Sequence, residues 1–189
     1  MRIISGLNKG KRLIMPKDKT TRPLKDMAKE SVFNILTHAK YVNFHLKDSK
    51  VLDLFSGIGS FGLECISRGS KFVFFLENYP PVLEILKKNI SNLKYDRKSK
   101  VIDIDAFKIN KNTFEKDQKF QIIFCDPPYK EKKIELLIEN IIEMDILEKN
   151  GLIIIHRKKG DLDSCPKKFK VIDTKSYGLS TFVFGKKSN

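Results

Sequence analysis

Apolar residues fall along this chain in two patterns, short unbroken runs and stripes of helical spacing, and the two alternate. Residues 51–55 (VLDLF), 72–76 (FVFFL), 101–106 (VIDIDA), 120–125 (FQIIFC) and 152–155 (LIII) are nearly continuous. That pattern predicts strands of a parallel sheet covered on both faces. Between them lie helical stretches. Residues 61–68 stop at Gly69, which suits a C-terminal cap. Pro80 and Pro81 start a helix carrying Val82, Ile85, Leu86 and Ile90. Residues 131–147 place Ile134, Leu137, Ile138, Ile141 and Ile142 on one face, and Asn150-Gly151 is the predicted stop.

Before the first strand, Thr21 is a candidate N-cap with Pro23 in the first turn of a helix. Its predicted core stripe is Leu24, Met27, Ala28, Ile35, Leu36 and Ala39. Residues 1–16 read as a β-hairpin with a basic tip, too small to fold alone. Two further strands, 169–173 and 181–184, join through Tyr177-Gly178. The expectation is an α/β fold: a doubly wound, mostly parallel seven-stranded sheet with an antiparallel edge hairpin. A basic hairpin extension occupies 1–20 and the main domain 21–189.

The first strand runs into Gly57-x-Gly59-x-x-Gly62, a turn that lets backbone N–H groups approach a ligand. Glu77 follows at the distance of a ribose-binding acid, which also suits a dinucleotide. Asp53 argues against that ligand, because a carboxylate just before the turn repels phosphates. An acid followed by Gly-x-Gly suits S-adenosylmethionine, which is cationic and has no phosphate to bind. Asp105, at the end of the third run, is a candidate acceptor for an adenine amine.

Composition changes the picture only when divided along the chain. Residues 1–50 hold twelve Lys and Arg against four Asp and Glu, residues 51–155 hold sixteen of each, and residues 156–189 hold nine against three. The net charge of +14 therefore sits on the two ends, as suits a neutral catalytic core flanked by surfaces for a polyanion. Lys9, Lys11, Arg12 and Arg22 are the candidate phosphate contacts. Cys65, Cys125 and Cys165 are too far apart for a zinc site or a disulfide framework, so no metal is expected. No apolar run reaches the length of a membrane span. A soluble cytoplasmic protein, not bound to membrane, is the expectation.

The fourth run delivers Asp126-Pro127-Pro128-Tyr129. Two consecutive prolines stiffen the backbone. The Asp126 carboxylate and the Pro127 carbonyl can then accept both hydrogens of one amine while Tyr129 stacks on the ring that bears it. An exocyclic amine is a poor nucleophile, because its lone pair is delocalised into the ring. Two acceptors draw it toward tetrahedral geometry. His156, alone at the end of the fifth run, reads as structural.

The segments MRIISGLNKGKRL, TRPLKDMAKESVFNIL, VLDLFSGIGSFGLECISRG and DPPY, in that order, resemble the bacterial small-subunit (16S) ribosomal RNA guanine-N2 methyltransferase family over almost the whole chain. The resemblance implies a Rossmann-like class I methyltransferase fold and S-adenosylmethionine as cofactor. It also implies a guanine target in 16S rRNA or the assembling 30S subunit; separately, the chain is expected to act as a monomer. It assigns Asp53, Ser56, Gly57, Gly59, Glu77, Asn78, Asp105 and Ala106 to the cofactor, and Asp126, Pro127, Pro128 and Tyr129 to the guanine. Lys29 departs from an expected arginine and puts an RNA contact at that position in doubt. Adenine-N6 methylation of DNA, which shares DPPY, and a non-catalytic RNA-binding module on the ribosome are the alternatives.

Overall fold

The hydrophobic runs assemble into one sheet whose strand order sets the position of every candidate residue. The computed structural model describes residues 1–16, 26–128, 131–160 and 165–188. In chain order the strands are β1 (Lys50–Leu54), β2 (Phe72–Leu76), β3 (Ser99–Ile102), β4 (Phe120–Cys125), β5 (Leu147–Lys158), β6 (Phe169–Tyr177) and β7 (Ser180–Lys187). They lie in the order β3-β2-β1-β4-β5-β7-β6. β1 to β5 pair in parallel, and β7 is antiparallel to both β5 and β6. The direction of winding reverses between β1 and β4, which is where such sheets open a crevice at their carboxyl edge.

The helices are α1 (Asp26–His38), α2 (Ser60–Ser67), α3 (Pro80–Asn92) and α4 (Ile134–Glu143). On one face of the sheet Val51, Val73, Ile122, Phe124 and Ile154 pack with α1, α2 and α3. On the other, Leu52, Leu54, Ile123, Ile153 and Ile155 pack with α4. This two-sided burial is why the strands are continuously apolar. Among the described residues no helix is long and apolar enough to cross a membrane.

Four expectations need correction. The last helix stops at Glu143, because Asp145 turns the chain with φ 55°; Leu147 to Gly151 then belong to β5, which is twelve residues long. β3 ends at Ile102, and Asp103 to Asp105 leave the sheet. The edge hairpin is longer than the apolar runs, and its two-residue turn is closed by Gly178 at φ 59°. The buried side of α1 is Ala28, Lys29, Val32, Phe33 and Leu36, while Met27 is 75% exposed. A lysine thus fills a core position. Thr21, Arg22, Pro23 and Leu24 lie outside the described residues.

Buried Lys29 belongs to the device that ties the amino-terminal segment to the sheet domain. Arg2 pairs with Arg12 as an antiparallel bridge, and Ile3 and Leu13 are buried. The fully buried Glu64 carboxylate accepts the backbone N–H groups of Ile4 (2.8 Å) and Ser5 (2.9 Å) and the Arg68 guanidinium (2.8 Å). Lys29 Nζ lies 3.5 Å from Glu64 and donates to the Arg2 carbonyl (2.8 Å). At the hairpin tip, Leu7 N–H donates to the Ser67 carbonyl, and the Asn8 amide donates to the Leu93 carbonyl.

Candidate active site at the carboxyl edge of the sheet

Every parallel strand ends at the same edge, so the residues just past β1, β2, β3 and β4 share one rim. Asp53 is the penultimate residue of β1 and is buried, with Oδ2 accepting the Gly62 N–H at 3.0 Å. Burial pushes its carboxyl well above the ordinary range, and the nearby charges of Asp126 and Glu77 push the same way. Asp53 therefore lies close enough to both acids to feel their charge. Glu77 joins two loops: Oε2 accepts the Gly57 N–H (2.8 Å), and Oε1 accepts the N–H groups of Asn78 (3.0 Å) and Tyr79 (2.9 Å).

The three glycines of the turn serve three different purposes. Gly57 has φ 55°, and a Cβ built there would meet nothing within 4 Å, so its outer face is open to a ligand. Gly59 has φ 84°, and a Cβ there would stand 2.6 Å from Leu86 Cδ1. Gly62 is required by packing, since its Cβ would meet Phe75 Cε1 at 2.3 Å. Phe55 takes a left-handed φ of 57° where the turn begins, and its ring tilts against Phe107 at 5.3 Å.

The remaining cofactor candidates divide by exposure. Ser56 is buried, and its hydroxyl donates to the Asp53 carbonyl (2.6 Å), so it stiffens the turn from within. Asn78 is exposed on the rim, while Ala106 is buried. Asp105 caps the short turn that follows β3 by accepting the Phe107 N–H (3.0 Å).

Asp126 follows the end of β4. Its side chain is 26% exposed, and Oδ1 lies 2.7 Å from His156 Nδ1. Pro127 is buried and Pro128 exposed. Tyr129 lies outside the described residues. His156 is the residue the sequence undervalued: it meets Asp126 because Cys125 pairs with Ile155, which places the next two residues side by side. A histidine one position past the fifth apolar run, matching an acid one position past the fourth, is the signal that could have found it.

The basic candidates are spread. Lys9, Lys11 and Arg12 are all exposed. The tip that carries Lys9 sits against the carboxyl ends of α2 and α3. Both helices start at the rim and run away from it, so Lys9 stands near the opposite edge of the sheet. Lys29, buried on Glu64, is removed from any surface.

A family model described as "Conserved hypothetical protein 95" matches residues 1–186. Ribosomal RNA small subunit methyltransferase D of Haemophilus influenzae is 31% identical over 183 residues, which span 96% of this chain and 91% of that protein. A Bacillus subtilis relative provisionally named an rRNA methyltransferase is 31% identical over 188 residues, 99% of each chain. An Escherichia coli structure provisionally named a methyltransferase superposes with a TM-score of 0.80 at 25% identity, covering 100% of this chain and 98% of that one.

Proposed function

The chain belongs to the family of ribosomal RNA small subunit methyltransferase D, and on that premise we propose that it transfers a methyl group from S-adenosylmethionine to the exocyclic N2 amine of a guanine in 16S ribosomal RNA. The observation that carries the reading is the rim itself: Asp53, Glu77 and Asp126 converge, and Asp126 presents a partly exposed carboxylate beside two prolines. The glycine turn fits a cationic ligand without phosphate, because acids flank it and Gly57 leaves open space. Asp53, Ser56, Gly57, Gly59, Glu77, Asn78, Asp105 and Ala106 would hold that cofactor. When bound, S-adenosylmethionine supplies a methyl group on a positively charged sulfur.

The protein's own part falls to the loop after β4. The guanine must leave its stack to reach the rim, at a cost on the order of a few kcal/mol. Stacking on Tyr129, the reading taken from its place in DPPY, offsets roughly 1–3 kcal/mol of this. Oδ2 of Asp126 and the carbonyl of Pro127 take the two amine hydrogens and turn the nitrogen lone pair outward. As the nitrogen gains its methyl group, Asp126 accepts the proton it sheds.

Lys9, Lys11, Arg12 and Arg22 are the proposed RNA contacts, carried on or next to the 1–20 extension. The thirteen residues of α3 span about 20 Å, so a substrate that touches Lys9 and the rim at once must reach at least that far. The proposed encounter is with an assembling 30S particle in the cytoplasm, met by a monomer.

The test is transfer from labelled S-adenosylmethionine to unmodified small-subunit RNA, to partly assembled subunits and to duplex DNA, with the modified nucleoside identified. N2-methylguanosine from a ribosomal substrate is expected. Asp126→Asn should lower turnover by about a thousand-fold while cofactor affinity stays within a few-fold. N6-methyladenine in DNA would overturn the target.

A further inference from the structure

Two consecutive residues at the end of β5 grip the Asp126 loop from both sides of the sheet. The imidazole of His156 is buried and lies flat on Phe182 of β7, with ring centroids 4.7 Å apart and planes 13° apart. Its Nδ1 meets Asp126 Oδ1 at 2.7 Å. A carboxylate can only accept, so Nδ1 carries the hydrogen and donates it. Among the described residues no donor reaches Oδ2 of Asp126, which leaves that oxygen for the substrate.

Arg157 points to the opposite face of the sheet and is also buried. Its guanidinium donates to the Glu131 carbonyl at 2.9 Å and reaches the Pro128 carbonyl at 3.4 Å. Those carbonyls stand on either side of residues 129–130, which places the loop's two anchors on one side chain. Burying a guanidinium and an imidazole costs desolvation. The β4–β5 ladder already holds the two strands together, with Phe124 on Ile154 and Cys125 on Ile155. The sheet does not need these two polar side chains for its own pairing, and each places hydrogen bonds on the loop.

We propose that His156 and Arg157 form a brace that positions the Asp126 loop for transfer. His156 sets the rotation of the Asp126 carboxylate so that Oδ2 faces the target amine, and Arg157 fixes the far end of the loop. Both are positioning residues, since neither needs to touch substrate. The inference rests on reading Asp126 as the acid that holds the amine.

The experiment is steady-state transfer to small-subunit RNA or particles by the full chain, with cofactor binding measured in parallel. His156→Phe keeps a ring on Phe182 and removes the Nδ1 donor; His156→Asn places an amide N–H near the Nδ1 position. For His156→Phe, kcat should fall about 100-fold while KM for both substrates stays within about two-fold. His156→Asn should recover to within about ten-fold of the parent. Arg157→Met should lower kcat about ten-fold. In an Asp126→Asn background, His156→Phe should add nothing, because the oxygen that His156 turns toward the amine has become an amide NH2 that cannot accept.

Full activity in His156→Phe with Asp126→Asn inactive would overturn the brace alone. Equal loss in His156→Phe and His156→Asn, with cofactor binding intact, would make the ring merely structural and also overturn it. Activity in Asp126→Asn would overturn the reading of Asp126 itself. Should His156→Phe fail to bind cofactor through misfolding, His156→Gln decides. Its amide sits near Nε2, and activity equal to His156→Asn would count against the brace.

Discussion

Glu64 and Asp126 are both carboxylates held by donors from a neighbouring element, and only one of them is closed. Glu64 is fully buried, and its two oxygens are taken by two backbone N–H groups and the Arg68 guanidinium, with Lys29 3.5 Å away. Asp126 is a quarter exposed, with Oδ1 on His156 and Oδ2 open. A saturated carboxylate can only join two parts of the chain. One held by a single oxygen keeps its orientation and still has an acceptor to offer. Glu64 joins the amino-terminal hairpin to α2, whereas Asp126 faces the rim. How many of a carboxylate's acceptor sites the fold consumes separates these two acids better than burial alone.

The largest effect on stability should come from Glu64→Gln. It leaves the Lys29 ammonium buried without its counter-charge, a loss of about 3–5 kcal/mol by denaturant unfolding at neutral pH. Burial already holds Lys29 below its ordinary 10.5. Between that lowered value and 10.5 the unfolded chain binds the extra proton, so stability rises with pH through the window. Without Glu64 to oppose it, burial lowers Lys29 further, so the variant's lysine gives up its proton at a lower pH than the parent's. The deficit of Glu64→Gln should shrink as pH rises between those two values; a deficit that stays constant there would place the lost energy in hydrogen bonds instead. Asp126→Asn should behave in the opposite sense. An amide oxygen can still accept from His156, so stability should change by only about 1 kcal/mol or less while transfer is lost. A loss as large as that of Glu64→Gln would make Asp126 a second structural acid and remove the contrast.

The same contrast governs what could be read from the sequence. Phe72 to Leu76 and Phe120 to Cys125 were legible to the residue, because strands buried on both faces leave unbroken apolar runs. The acids at their ends were legible because the strand ends set their positions. Lys29 was not, since a lysine on an amphipathic helix looks like surface. Only the packing of α1 against α2 reveals the partner that lets it take a core position. The true stripe of α1 was misphased for the same reason, with Met27 counted in and Lys29 counted out. His156 depends on a pairing between strands thirty residues apart, which no local pattern records.

The smallest effect belongs to a third acid, at the exposed end of the series. Asp145 has a side chain 59% exposed and is paired with Lys119 and with Lys187, the latter at 2.8 Å. Hydrogen bonds from Lys119 and then Lys187 hold its carboxyl down at about 2, against an ordinary 3.8. A lowered carboxylate stabilises the fold above the unfolded value, and that contribution is lost as pH falls from about 3.8 to about 2. Solvent screens so exposed a pair, so the shift overstates its value, and Asp145→Asn should cost only about 0.5 kcal/mol at neutral pH. The cost should fade in 1 M salt, where the screening length is only about 3 Å. Thermal unfolding of parent and variant at low and high salt measures both. A loss near that of Glu64→Gln, or one indifferent to salt, would mean that partner count decides the energetics regardless of burial.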